Sequence, residues 1–201
     1  MTKKYTDANI KKFFEYNIDM VTRTLYYGSG SSDGSDLFDS SQTVNDWSSE
    51  QLIKGLKILD KIDKRKITII WNSNGGNWDA GMAVYEVIRT LRSKVTMVCY
   101  SRCRSMGSII LQACYKRILA KNCRFMIHYG TESLPEMHSK DAEKQIEESK
   151  RINELMEKIY LDKIKKKHPR FTLTELREKM KYDYYMNAEE AVKLGLADEI
   201  I

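Results

Sequence analysis

The amino-acid sequence predicts an α/β protein with a mainly parallel central sheet. Apolar runs typical of buried strands, such as ITIIW at 67–71 and VTMVCY at 95–100, are each followed by a segment with helical periodicity. This regular alternation is expected of βαβ units, in which each helix carries the chain back to the next parallel strand. The 201 residues fit a single domain, because domains usually contain about 100–200 residues.

The first quarter of the chain predicts a short helix, a strand and a loop. Ile10, Phe13 and Phe14 have amphipathic helical spacing, and residues 20–27 read as a strand. Residues 28–49 are rich in Gly, Ser and Asp. We expect them to form a mobile loop rather than a domain linker, since the segment before them is too short to fold alone.

The middle of the chain carries the alternating elements. Ser48–Gln51 has the spacing of a capping box and predicts a helix that runs to about Lys61. After the strand at 67–71, the periodicity predicts helices over 79–92 and 105–115, with strands at 95–100, 117–120 and 124–128. Further capping boxes predict two C-terminal helices, the last closed by Gly195, and they lie at Thr172–Glu175 and Asn187–Glu190.

A long helix is predicted over about 140–166. It is charged nearly all round and has only a thin apolar stripe, so it buries little surface within its own domain. We therefore expect it to project from the domain and contact another subunit. His168 and Pro169 end it, because proline disfavours helical backbone in the residue before it.

Composition excludes several classes of protein. No run of about 20 apolar residues is present, so we expect no membrane span, and the N-terminal residues lack the apolar core of a secretion signal. These observations predict a cytoplasmic protein. The net charge of +6 permits nucleic-acid binding but gives it only a weak basis, since the charge lies largely in 140–181, where a solvated helix face is the usual explanation.

The four cysteines, Cys99, Cys103, Cys114 and Cys123, are separated by gaps of 4, 11 and 9 residues. These gaps match no zinc-ligand pattern. We expect the thiols to be buried as small hydrophobic side chains, and we predict no metal site.

Paired glycines occur at Asn74–Asn77, directly after the strand at 67–71 and before a predicted helix. Glycines let the backbone turn sharply and expose N–H groups. The segment is either a plain strand-to-helix turn or a cradle that stabilises negative charge developing during a reaction.

Ser105-Met106-Gly107 follows the next strand and opens an apolar helix. Serine is a common helix N-cap, so a structural cap is one interpretation. The other is a nucleophile, since the backbone N–H of Met106 and the positive end of the helix meet at the serine oxygen. Both interpretations hold together if the start of the helix is what orients the nucleophile.

Histidine and aspartate complete a possible catalytic set. His128 ends the apolar strand RFMIH, where active-site bases often lie, whereas His138 and His168 have no obvious partner. Asp183 is flanked by tyrosines, which predicts a partly buried carboxylate in need of a hydrogen-bond partner. A serine hydrolase needs a nucleophile, a base and an orienting carboxylate.

Five motifs in this order resemble those of the proteolytic subunit of the Clp protease, ClpP. The resemblance covers roughly residues 18–201, and its motifs lie at Asn72–Gly76, Ala80–Tyr85, Ser105–Gly107, Met126–His128 and Asp183–Asp198. The resemblance implies a ClpP/crotonase-like fold of repeated β-β-α units in which the helix at 140–166 is the projecting handle.

The resemblance also implies an activity and a site. Ser105 would be the nucleophile, His128 the general base and Asp183 its orienting group, and the N–H groups of Gly76 and Met106 would form the oxyanion hole. Family members cleave unfolded polypeptides through an acyl-enzyme, without a cofactor. They do so inside homo-oligomers of two stacked heptameric rings, a tetradecamer, usually fed by an AAA+ unfoldase.

Several residues depart from the family pattern. Asn74 replaces a proline before the glycine pair, and Arg102, Cys103 and Arg104 replace small or polar residues before the serine. These changes indicate a divergent branch, such as the ClpP-like proteins of phages, some of which act in head maturation. Alternatives to an active peptidase are a catalytically inactive ring component, which Arg104 favours, and a crotonase-type acyl-CoA enzyme, which would not need the serine and histidine.

Overall fold

The computed structural model describes residues 5–28, 43–130 and 138–201. Most of the loop predicted at 28–49 lies outside the described residues. Among the residues described, none of the helices combines the length and apolar character that crossing a bilayer requires. The elements follow in this order: α1 (Asp7–Tyr16), β1 (Ile18–Asp19), β2 (Thr24–Tyr27), β3 (Thr43–Val44), α2 (Asp46–Ile62), β4 (Ile67–Ser73), β5 (Gly75–Gly76), α3 (Trp78–Thr90), β6 (Val95–Arg104), α4 (Met106–Ala113), β7 (Lys116–Leu119), β8 (Arg124–Ile127), α5 (Ser139–Lys167), α6 (Leu173–Met180), β9 (Tyr184–Met186), α7 (Ala188–Leu194) and β10 (Glu199–Ile200).

The α/β class and the mainly parallel sheet are confirmed. In the described ranges, one sheet of eight strands has the order β1-β2-β4-β6-β7-β10, and β8 and β9 continue from the far half of β6. All neighbours in it are parallel except β1 with β2 and β8 with β9. A separate small parallel pair joins β3 to β5.

Strand β6 organises the region that carries the predicted site. Its first half, Thr96 to Cys99, pairs with β7, while its last residues, Arg102 to Arg104, pair with β8. The sequence predicted that this strand ends at Tyr100, and that boundary is wrong. The polar run SRCR continues the strand because Cys103 stays buried on the helix-covered face while its neighbours occupy the more open face.

The core lies between the sheet and helices α2, α3 and α4. Trp71 on β4 is fully buried at its centre and stacks on Tyr27 of β2, with ring centroids 4.1 Å apart. A Cβ atom at Gly107 would meet the Trp71 indole nitrogen at 3.0 Å, so the glycine lets α4 approach the tryptophan closely. This contact places the start of α4 against the end of the sheet.

Helix α2 begins three residues earlier than the sequence predicted, since its N-cap is Asn45 and not Ser48. Ser48 is instead the third helical residue, which completes the box with Asn45. Two overlapping pairs have capping-box spacing: Asn45 with Ser48, and Ser48 with Gln51. Because β3 ends at Val44, directly before Asn45, the helix begins at the first pair. The predicted capping boxes at Thr172 and Asn187 are confirmed.

The long helix predicted over about 140–166 is present as α5, Ser139–Lys167. Its buried residues all lie in its C-terminal half: Met156, Glu157, Ile159, Tyr160 and Ile164. The first 17 residues, 139–155, include none, so this half of the helix makes little contact with the described part of the chain.

Candidate active site

Ser105 lies at the sharp junction between β6 and α4. Its backbone has φ 49° and ψ −127°, a left-handed region that favours glycine. Its N–H donates to the carbonyl of Met126 at 2.9 Å, and its carbonyl accepts from both the N–H and the hydroxyl of Ser108. A conformation that costs about 1–3 kcal/mol is thus held by the neighbouring strand and by the first turn of the helix.

The Ser105 hydroxyl is not a helix cap. Its side chain makes no capping hydrogen bond, and the first helical residue is Met106. Instead, the Oγ atom lies 2.8 Å from Nε2 of His128. The prediction that Ser105 also caps the helix is therefore wrong for its side chain, because the left-handed backbone carries the hydroxyl away from the helix axis.

His128 and Asp183 come together across two antiparallel strands. His128 follows β8, Asp183 precedes β9, and the pairing of Ile127 with Tyr184 sets the two side chains beside each other. Nδ1 of His128 lies 2.9 Å from Oδ1 of Asp183. Three residues that are far apart in sequence thus form one hydrogen-bonded chain.

Asp183 is more exposed than the sequence predicted. The flanking tyrosines suggested a partly buried carboxylate, yet its side chain is 53% exposed, while that of His128 is 18% exposed. Of its two neighbours, Tyr182 is itself 78% exposed and Tyr184 packs against the core. Within one chain, His128 is the partner that satisfies this carboxylate.

The glycine pair lies directly against the serine. A Cβ atom at Gly75 would stand 2.5 Å from Cβ of Ser105 and 3.0 Å from the backbone nitrogen of Met106. Gly75 and Gly76 have φ of 103° and 144°, values that other residues rarely adopt. The paired glycines are thus required by both space and conformation, and they bring the backbone of β5 to the first turn of α4.

A buried hydroxyl pair behind Ser105 was missed by sequence reasoning. Ser108 Oγ lies 2.7 Å from the hydroxyl of Tyr160 on α5, and both side chains are fully buried. Because Ser108 also donates to the Ser105 carbonyl, the pair links α5 to the junction. The only signals in the sequence were polar atoms within apolar helical stretches.

The other histidines and the cysteines lie outside this arrangement. His138 precedes α5 without a side-chain capping bond, and His168 Nε2 bonds to the Lys193 carbonyl. The four cysteines are free and buried, which confirms their expected role as small hydrophobic residues. Within the described ranges, no group of three or more His, Cys, Asp and Glu side chains is placed to hold a metal ion.

Two of the departures from the family pattern contact each other. Nη1 of Arg104 lies 3.4 Å from Oδ1 of Asn74, and Arg102 Nε lies 3.4 Å from Oδ1 of Asn72. The unusual arginines on β6 therefore lie beside Asn72 at the end of β4 and Asn74 just after it, next to the glycine pair.

Comparisons with known proteins agree with the resemblance seen in the sequence. A family model described as Clp protease matches residues 36–201. The chain is 32% identical over 153 residues to the ATP-dependent Clp protease proteolytic subunit of Deinococcus radiodurans. This alignment covers 75% of this chain and 72% of the relative. It is 30% identical over 163 residues to the ATP-dependent Clp protease proteolytic subunit 2 of Prochlorococcus marinus strain NATL2A. This alignment covers 80% of this chain and 79% of the relative.

A solved structure supports the fold. A ClpP1 variant from Listeria monocytogenes superimposes with a TM-score of 0.73 at 24% identity, over 90% of this chain and 91% of that chain. The fold is therefore that of ClpP. Together with the family model and the relatives, this shows that the chain belongs to the Clp protease family.

Proposed function

We propose that the chain is a serine endopeptidase in which Ser105 is the nucleophile, His128 the general base and Asp183 the residue that orients the base. The observation that carries this proposal is the chain of two hydrogen bonds from Ser105 Oγ to His128 Nε2, at 2.8 Å, and from His128 Nδ1 to Asp183 Oδ1, at 2.9 Å. Both distances lie within the range of about 2.6–3.2 Å that a nucleophile and its base require.

The geometry supports an acyl-enzyme mechanism. His128 Nε2 takes the proton of Ser105 as Oγ attacks the carbonyl carbon of the peptide bond, and it then gives that proton to the leaving amine. Water then attacks the resulting ester while His128 takes a proton from it. His128 returns this proton to Oγ as the bond between Oγ and the carbonyl carbon breaks, which frees Ser105 and the carboxylate product. Asp183 keeps the imidazole in the tautomer with Nδ1–H and stabilises the imidazolium.

Backbone N–H groups supply the oxyanion hole in this proposal. The N–H of Met106 belongs to the first turn of α4, where backbone donors have no partner within the helix. Gly76 lies on the short strand whose other residue, Gly75, is against Ser105. N–H groups of Met106 and Gly76 would stabilise the negative oxygen that forms on the substrate carbonyl, without any cofactor.

We further propose that the chain acts within a ring. The family builds oligomeric rings that usually work with AAA+ partners, and the relatives reported above are named as subunits of an ATP-dependent protease. The half of α5 that buries no residue supports a contact with another subunit. By likeness to the family, we propose heptameric rings stacked into a tetradecamer that cleaves unfolded polypeptides delivered by an AAA+ unfoldase in the cytoplasm.

Labelling with a fluorophosphonate tests the nucleophile. Intact-mass measurement should show one adduct per chain in the wild type and none in Ser105→Ala. Ser101→Ala is the matched control, because Ser101 lies on the same strand, is exposed and should leave labelling unchanged. A folded, assembled wild type that takes up no adduct would contradict the proposal and favour a catalytically inactive ring component.

A further inference from the structure

Three arginines lie on the two strands that adjoin the proposed nucleophile, and the mechanism uses none of them. Arg102 and Arg104 are on β6 and Arg124 is on β8, and we call these three residues the arginine cluster. Arg102 pairs directly with Arg124 in the sheet register, and Arg104 pairs with Met126. Side chains alternate along a strand, so the three arginines share one face of the sheet.

This face is also the face of the proposed base. Arg124 and Met126 on β8, and His128 directly after this strand, follow each other at intervals of two residues. The same alternation therefore continues this face from the arginine cluster to the histidine. Arg104 is adjacent in sequence to Ser105. The cluster therefore begins one residue from the nucleophile and extends away from it along the sheet.

Within the described ranges, no carboxylate lies within ion-pair distance of the arginine cluster. The hydrogen bonds of Arg102 to Asn72 and of Arg104 to Asn74 are both 3.4 Å long, beyond the usual 2.7–3.2 Å range. The Nε atom of Arg104 is buried and has no hydrogen-bond partner in the structure described. A guanidinium carries five N–H donors, and those on the two terminal nitrogens of Arg104 that Asn74 does not engage are available to another partner.

An aromatic ring holds two of the guanidinium groups near each other. Those of Arg104 and Arg124 lie 5.7 and 5.9 Å from the ring centroid of Tyr185, distances at which a cation is attracted to an aromatic face. Like charges placed directly across a sheet repel. Tyr185 stabilises this arrangement without neutralising it, so the cluster remains suited to an anion.

We propose that the arginine cluster is a subsite that binds the side-chain carboxylate of an acidic substrate residue close to the scissile bond. Arginine binds carboxylates with paired N–H donors, and Arg102 and Arg104 lie beside Asn72 and Asn74, next to the glycine strand. The inference rests on the proposed peptidase function and assigns it a substrate preference. It also gives the contact between Arg104 and Asn74 a role.

Binding to an inactive variant tests the subsite without relying on hydrolysis. Fluorescent peptides that differ only by Glu or Gln at one position, moved in turn across four neighbouring positions, are titrated against Ser105→Ala and followed by anisotropy. At one position or more, we expect the Glu peptide to bind about tenfold more tightly than the Gln peptide. Adding Arg104→Gln should bring the ratio of the two affinities close to one. Adding Arg104→Lys instead should retain part of the preference for Glu.

A charge-matched control separates the subsite from general attraction. Lys64→Gln removes one positive charge from an exposed turn before β4, at the opposite end of the strand from the site, and should leave the ratio unchanged. Equal binding of the two peptides at all four positions, or an equal loss of preference in Lys64→Gln, would overturn the proposal. If Arg104→Gln keeps the preference for Glu peptides but forms smaller assemblies, the cluster binds an acidic residue of a second copy of the chain instead.

The two proposals fail in different ways. If Ser105 takes up fluorophosphonate but the peptides are bound alike, the subsite is wrong and the peptidase assignment stands. If Glu peptides are preferred but Ser105 takes up no label, the cluster binds acidic chains and the hydrolytic assignment is wrong.

Discussion

Ser105 occupies a backbone conformation that a glycine would adopt more easily. The free-energy cost of this conformation is related to the position that it gives the hydroxyl group. The positive φ lifts its hydroxyl out of the helix and toward His128, while hydrogen bonds from Ser108 and to Met126 hold the backbone in place. A residue whose only role was to start α4 would not need this conformation. The strain is therefore a structural signature of the proposed nucleophile.

Two replacements of Ser105 should differ in stability although both remove the proposed nucleophile. Alanine keeps a Cβ atom in the left-handed region, whereas glycine removes the steric conflict. We expect Ser105→Gly to be more stable to urea than Ser105→Ala by about 1 kcal/mol. Chemical denaturation of both variants, monitored by circular dichroism, measures this difference.

The same pair of changes at Ser101 is the control. Ser101 lies on β6 with ordinary strand backbone, so glycine there should be less stable than alanine. If alanine were the more stable replacement at both positions, Ser105 would not be strained in solution.

At the scale of single residues, the sequence was sufficient to identify candidate residues that follow strands. It was not sufficient to identify residues that become neighbours only through the register of paired strands. Ser105 and His128 each follow an apolar strand, so their positions could be identified without a structure. The clustering of Arg104 with Arg124 above Tyr185 could not, because it requires the pairing of β6 with β8 and of β8 with β9. Whether the triad performs catalysis stays a prediction.

Helix α5 is joined to the site by a buried carboxylate. Glu157, whose side chain is 6% exposed, accepts hydrogen bonds from two nitrogens of Arg177 on α6 at 2.9 Å each and bonds to the hydroxyl of Tyr129. Tyr129 directly follows His128. The ion pair thus connects the long helix, α6 and the segment that carries the proposed base.

The stability that Glu157 provides should depend on pH. Burial alone would raise the pKa of Glu157, but the hydrogen bonds from Arg177 and Tyr129 lower it below its ordinary value. A carboxyl group whose pKa is lowered by folding stabilises the protein above its unfolded pKa of about 4.3, and this stabilisation is lost as the pH falls through the folded value. We expect Glu157→Gln to cost about 1–2 kcal/mol at pH 7 and progressively less as the pH falls below about 4.

Urea denaturation across this pH range, with Glu154→Gln as the control, measures the effect. Glu154 lies on the same helix but is exposed, so its replacement should have little effect at any pH. A cost of Glu157→Gln that is the same at pH 7 and at about pH 3 would mean that packing, and not the charge, accounts for the contribution of this residue.

At the scale of elements, the sequence predicted the kinds of helices and strands better than their ends. Apolar periodicity identified β4, α3 and α5. The end of β6 was missed because its last four residues are mostly polar, and polarity there reflects an open sheet face rather than a loop. Local pattern alone does not distinguish the two.

The whole molecule presents a helix half that the described part of the chain does not bury. The first 17 residues of α5, 139–155, extend over about 25 Å at 1.5 Å per residue. Ile146 and Leu155 on this helix are 44% and 42% exposed. Such a stripe of partly exposed apolar side chains is what a helix needs in order to pack against another subunit.

If the chain forms the proposed stacked rings, a charge in this stripe should prevent them from pairing. We expect Ile146→Asp to lower the mass of the assembly by about half, because burying an unpaired carboxylate at a subunit contact costs several kcal/mol. Mass photometry of the purified protein measures the change. Ile201→Asp introduces the same charge at an exposed isoleucine outside the helix and should leave the mass unchanged, whereas an undisturbed assembly in Ile146→Asp would exclude the helix from the contact.

Because the four native thiols are buried, a dye can be attached to one introduced cysteine in order to follow movements of the assembly. Burial raises the pKa of all four cysteines above that of a free thiol, to about 12 for Cys123, so at neutral pH they remain protonated as well as enclosed. Maleimide dyes react with accessible thiolates. A single cysteine introduced on the exposed part of α5, as in Lys144→Cys, would therefore accept a dye selectively in the otherwise native chain. Energy transfer between donor- and acceptor-labelled subunits would then report the distance between two such helices in real time.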